Sequence, residues 1–77
     1  MKNTIGVISQ CDETGKITPK QIITNQGRVL SIDHVEAIGM RPAMRSGALG
    51  YKYIIRVGQW SSSLYWDGSV WFLENNA

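Results

Sequence analysis

The chain has 77 residues, 43% of them hydrophobic and 18% charged, with a formal net charge of +2. That is one domain with no room for a second, and the composition excludes both bulk disorder and a dedicated nucleic-acid protein. A single cysteine excludes an internal disulfide, and one cysteine with one histidine excludes a zinc site of the usual Cys/His kind.

No apolar run approaches the roughly 20 residues of a membrane span. The N-terminus carries one lysine and a few apolar residues broken by polar ones, too short and too polar for a signal peptide. The expectation is a cytoplasmic protein without membrane association.

Residues 4–11 alternate loosely, with Ile5 and Val7 on one face and Ile8 on the other, and predict a first strand. Residues 12–16 form a polar connection, with Gly15 suited to a left-handed position late in a hairpin loop. Pro19 cannot donate to a ladder and marks a strand start or an edge. Residues 20–25 are the second strand, residues 25–28 a turn, and residues 29–33 the third strand.

Residues 33–41 are ambiguous. Asp33 and Glu36 have capping-box spacing, and Val35 and Ile38 could face inward from a short helix. Gly39 and Pro42 oppose that helix, so a bent strand with a bulge near His34 is favoured. Residues 42–50 read as a loop, with room for one helical turn at residues 42–45. In residues 51–57, Tyr51, Tyr53, Ile55 and Val57 point one way and Lys52, Ile54 and Arg56 the other. Residues 60–66 and 69–74 are two more strands around Asp67-Gly68, a preferred pair for a two-residue type I′ turn. Residues 75–77 should fray.

Such short strands, punctuated every eight to twelve residues, predict an all-β fold: a small antiparallel meander of five to six strands. An SH3-like barrel fits this length, with an OB-like barrel as the alternative. A two-residue turn would set Trp66 opposite Ser69, Tyr65 opposite Val70 and Leu64 opposite Trp71. Leu64, Trp66, Trp71 and Leu73 then share one face of the hairpin, and Tyr65, Val70 and Phe72 share the other. One apolar face builds the core. The other is covered by a different part of the chain, such as the N-terminal strand, or forms a patch for a protein partner or a second copy. Tyr65, Val70 and Phe72 are therefore the candidate partner surface.

Catalytic chemistry has little to stand on. His34 lies beside Asp33 in sequence, which places the two on opposite faces of a strand, and Cys11 at a strand end reads as a small hydrophobe. The six acidic residues are not paired for acid–base or metal work, so neither an enzyme nor a cofactor is expected. Arg41, Arg45, Lys52 and Arg56 fall within sixteen positions with no acid between them, close to Tyr51 and Tyr53. They are the candidate nucleic-acid surface, since cations and rings together grip single strands.

Gly-Lys-Ile-Thr-Pro at 15–19, Gly-Arg-Val-Leu-Ser-Ile-Asp at 27–33, Met-Arg-Pro-Ala at 40–43 and Trp-Phe-Leu-Glu at 71–74 follow one another in this order. Over nearly its whole length the chain resembles a family of small Firmicutes proteins with the pattern G-x-I-T-P, then G-R-x-x-x-I-D, then W-F-[VL]-E. The resemblance implies a small β-barrel and assigns no activity. The functional expectation is a non-catalytic interaction module that docks a protein partner or self-associates, with weak single-stranded nucleic-acid binding as the alternative.

Overall fold

A computed structural model describes residues 3–43 and 49–74. Within them the chain is all β. It forms β1 (Asn3–Cys11), β2 (Ile17–Ile23), β3 (Val29–Ser31), β4 (His34–Pro42), β5 (Leu49–Val57), β6 (Trp60–Trp66) and β7 (Trp71–Glu74). The count is seven rather than five to six, because the ambiguous segment stands as a strand of its own.

These strands make one antiparallel sheet in the order β3-β2-β1-β7-β6-β5-β4. Every neighbour in space is a neighbour in sequence, except that β1 joins β7. β1 does so by dividing its length: Asn3–Ile5 pair with Leu73–Trp71, and Gly6–Cys11 pair with β2. The sheet curls into a half-barrel whose two edge strands, β3 and β4, are joined only by Ile32 and Asp33. One end of the seam between those edges is closed there. The Ile32 amide donates to the Lys20 carbonyl at 3.0 Å and the Asp33 amide to the Arg56 carbonyl at 2.7 Å. The Asp33 carboxylate also accepts from the Gly58 amide, tying the β5–β6 turn to the same corner.

Two irregularities interrupt the ladders. Pro19 lies inside β2 and not at its start, and the register slips beside it, so that Ser9 pairs with Pro19 while Ile8 pairs with Gln21. A ring nitrogen with no hydrogen cannot sustain the ladder, and the bulge absorbs the mismatch. In β4 the bulge falls at Ile38, between Ala37 and Gly39, and not near His34. Gly39 has φ +112°, where a residue with a β-carbon would be strained, so the glycine and not the histidine decides where the strand bends.

The inward face follows the alternation read in the sequence. Ile22, Tyr53, Ile55, Leu64 and Trp71 form the buried cluster, with Ile5, Val7, Val35, Trp66 and Leu73 among the partly buried side chains packed on it. Fully burying an aliphatic side chain such as Ile55 or Leu64 contributes about 1.5–3 kcal/mol each. Trp71 sits between two rings, its centroid 5.6 Å from that of Tyr53 and 5.0 Å from that of Trp66.

The β6–β7 connection differs from a type I′ turn. Among the described residues none other than glycine has positive φ, so Asp67 does not adopt the left-handed geometry such a turn needs. Instead Asp67 Oδ1 accepts from the amides of Ser69 and Val70, both at 2.8 Å, and closes a four-residue loop around Gly68. The register is therefore Trp66 with Trp71, Tyr65 with Phe72, Leu64 with Leu73 and Ser63 with Glu74. The difference from the expected pairing is two positions. A shift of two leaves every side chain of the two strands on the face assigned to it, while Val70 falls in the loop.

Candidate functional site

The surface expected at Tyr65, Val70 and Phe72 is not an open patch. Tyr65 is 0% and Phe72 1% exposed, their rings stacked at 5.1 Å with planes 10° apart, and only Val70 faces solvent, in the loop. The cover is not the N-terminal strand, which lies beside β7 in the plane of the sheet. It comes from the end of the β4–β5 arm: Ala43, just past β4, is buried in one cluster with the two rings. Close approach needs small residues. A β-carbon on the buried Gly50 would lie 2.9 Å from the Trp66 carbonyl oxygen.

Folding the arm over one face of the hairpin turns the other side of the arm outward. Met40 pairs with Tyr51, and Pro42 with Leu49. Leu49 is 61%, Tyr51 50% and Met40 44% exposed. Of these, Tyr51 lines a cleft of about 390 Å³ at the open end of the seam, and Met40 and Leu49 neighbour it on β4 and β5. Lys16 from the β1–β2 loop, Ile17 from the start of β2, Ile38 from the β4 bulge, Tyr51 and Tyr53 from β5, and Trp66 from β6 line it. The Tyr53 hydroxyl donates to the Ile17 carbonyl at 2.7 Å and so bridges the seam. Burial, together with the nearby Tyr51, raises the Tyr53 pKa above that of an ordinary phenol.

The cleft floor is thus aromatic and rigidly backed, Trp66 resting on Trp71 and Trp71 on Tyr53. Lys16 stands at the rim. Lys52 borders the cleft as well, but its ammonium lies on the outer face of the sheet, 6.0 Å from the Tyr65 ring centroid. Such a concave, mostly apolar site with few polar groups is the common form of a binding pocket.

Arg41, Lys52 and Arg56 share the outer face of the sheet by register, while Arg45 lies outside the described residues. Tyr51 and Tyr53 alternate with Lys52 and therefore belong to the opposite face, so β5 separates the rings from the cations that the sequence places side by side. Glu36 lies opposite Ile54, between the positions of Lys52 and Arg56. Two of the cations are engaged locally, Arg41 with the Met40 carbonyl at 2.8 Å and Arg56 with the Gly58 carbonyl at 3.2 Å.

Cys11 is exposed at the end of β1, and His34 is exposed at the start of β4. Asp12 holds the β1–β2 loop: its Oδ1 accepts from the Thr14 hydroxyl at 2.7 Å and from the Thr14 and Lys16 amides at 2.9 Å. Those bonds, the Thr14 hydroxyl first, lower its pKa below the usual carboxylate value. The loop they shape carries Lys16 to the cleft. No helix among the described residues is long and apolar enough to cross a membrane. Comparison of the chain with protein-family models, with curated proteins and with solved structures finds no significant match.

Sequence reasoning missed Met40, Leu49, Ile38, Ile17 and Lys16 as members of one site. The available signal was Leu49 itself, a large apolar residue set between Ala48 and Gly50.

Proposed function

We propose that this protein is a non-catalytic interaction module that docks a protein partner on the seam cleft and the adjoining face of the β4–β5 arm. The observation that carries the reading is the half-exposed group Met40, Leu49 and Tyr51 beside a concave aromatic floor. Exposed apolar residues scattered singly need no explanation, but three neighbours on one arm, one of them lining a cleft, mark an interaction surface.

The test is selection of binding peptides from an unbiased display library, followed by mapping on the isotope-labelled protein. Chemical-shift changes should centre on Ile17, Ile38, Tyr51 and Trp66, and Leu49→Ser should weaken binding about tenfold. Recovery of no binder, or binders that perturb only other surfaces, would sink the proposal.

The alternative, weak single-stranded nucleic-acid binding, is favoured by one observation, the alignment of Arg41, Lys52 and Arg56 on the outer face. Phosphate-driven affinity is greatest at low salt. An oligonucleotide titration at low ionic strength that shows saturable binding, lost in Arg56→Glu and kept in Leu49→Ser, would replace the first reading with this one.

A further inference from the structure

Resting on that docking reading, we infer that the segment received by the cleft is a short, acidic, extended peptide with an apolar anchor, held by side-chain insertion and charge rather than as an added strand. Three observations converge on this occupant.

The first is size. Three half-exposed side chains leave on the order of a few hundred Å² of apolar surface. A stable dimer buries about 800 Å² per partner, so the patch suits a short segment better than a second copy of the chain.

The second is charge. Lys16 lines the cleft and no carboxylate is among the described residues that do so, whereas Lys52 borders it from β5 with its ammonium on the outer face, over the Tyr65 ring. The chain as a whole is also positive, at +2. An acidic segment gains from both, and a basic one loses.

The third concerns the edges. Strand addition needs a run of free amides and carbonyls in regular register. Beyond its pairing with β3 at Gln21, Ile22 and Ile23, β2 offers Pro19, without an amide hydrogen, and its Ile17 carbonyl already accepts from Tyr53. β4 offers the bulge at Ile38 and Gly39, which breaks the spacing at the point where the cleft lies. Affinity must then come from a side chain seated against Trp66 and Tyr51, with acidic neighbours beside Lys16.

Two synthetic peptides test this: a tryptophan-leucine pair flanked by glutamates, and the same pair flanked by lysines. The glutamate peptide should bind at the cleft at least tenfold more tightly, with the preference shrinking as salt rises. In Lys16→Glu, an exchange at an exposed position, the order of the two peptides should narrow or reverse. Amide exchange at Ile38 and Met40 should be unchanged on binding.

Equal binding of both peptides at the cleft would overturn the charge inference and leave the docking reading standing. Slowed exchange along β4 would overturn side-chain insertion in favour of an added strand. Failure of both peptides would overturn the inference, whereas the docking reading falls only if the library selection also finds nothing at the cleft.

Discussion

The two faces of the β6–β7 hairpin are both apolar and both buried, yet they are covered by different means. The inner face, Leu64, Trp66, Trp71 and Leu73, is closed by the curl of the whole sheet, so strands from both halves of the chain meet on it. Tyr65 and Phe72, on the outer face, are buried in one cluster with Ala43 at the end of a single arm. A cover made by the entire sheet cannot be lifted without unfolding. A cover made by one arm can be altered locally, and its far side is where the exposed apolar residues sit. The molecule hides one apolar surface and, with the same element, presents another.

Truncating the inner face should therefore cost the most. Trp71→Ala removes the ring between Tyr53 and Trp66, for an expected loss of about 3–5 kcal/mol. A chain of this length holds only about 4–11 kcal/mol in total, so thermal unfolding should show a collapsed or absent transition. A melting temperature close to that of the parent would mean that the inner face is not the core.

The arm should respond differently. In Gly50→Val the new β-carbon meets the Trp66 carbonyl, which is backbone and cannot swing away. A cost of about 1–3 kcal/mol is expected from the overpacking. The signature is local: faster amide exchange in β4 and β5 than in β1 and β2. Uniform loss of protection across all strands would show that arm and barrel are one cooperative unit, and the distinction between the two covers would fail.

This contrast also marks how much could be read from the chain. The faces of β5, β6 and β7 were legible because a period of two survives errors of register, and the two-position shift at Asp67 moved no side chain from one face to the other. The register itself was hidden, since Asp67 shapes its loop through a side-chain carboxylate and not through the backbone geometry usual for Asp-Gly. The bulge was legible as a disturbance but not in place; Gly39, with positive φ, was the better marker than His34. The cover was not legible at all. Ala43 and Gly50 are chosen for smallness, and smallness leaves no hydrophobic pattern. Nor was the cleft, which gathers residues from β2, β4, β5 and β6 across a seam that only the curl creates.

Alkaline pH offers a softer probe of both faces at once. Burial raises the phenol pKa of Tyr53 and of Tyr65, with Tyr51 and Glu74 respectively adding to the effect. In the unfolded chain these groups ionise near pH 10. The folded state holds its protons longer, so their contribution to stability is intact below about pH 10 and is lost as pH rises toward the raised values. Denaturation midpoints measured upward from pH 9 should fall beyond pH 10. A flat profile there would mean that neither ring is buried in solution.

The smallest effects should differ in sign, because the two tyrosines use their hydroxyls differently. Tyr53 donates across the seam, and Tyr53→Phe should lose about 0.5–1.5 kcal/mol with the hydrogen bond to Ile17. The Tyr65 hydroxyl is buried on the outer face with no hydrogen-bond partner among the described residues, as is that of Ser63. Leaving such a group unpaired costs about 1–3 kcal/mol, so Tyr65→Phe should gain on the order of 1 kcal/mol while keeping the ring stacked on Phe72. Equilibrium denaturation of the two single variants and the double variant reads both terms. The sites lie on opposite faces, so the double variant should show near-additive changes that largely cancel. A loss in Tyr65→Phe comparable to that in Tyr53→Phe would mean that the outer hydroxyl has a partner after all. The arm would then be held by a polar bond as well as by the packing of small residues, and the two covers of the hairpin would differ less in kind than in extent.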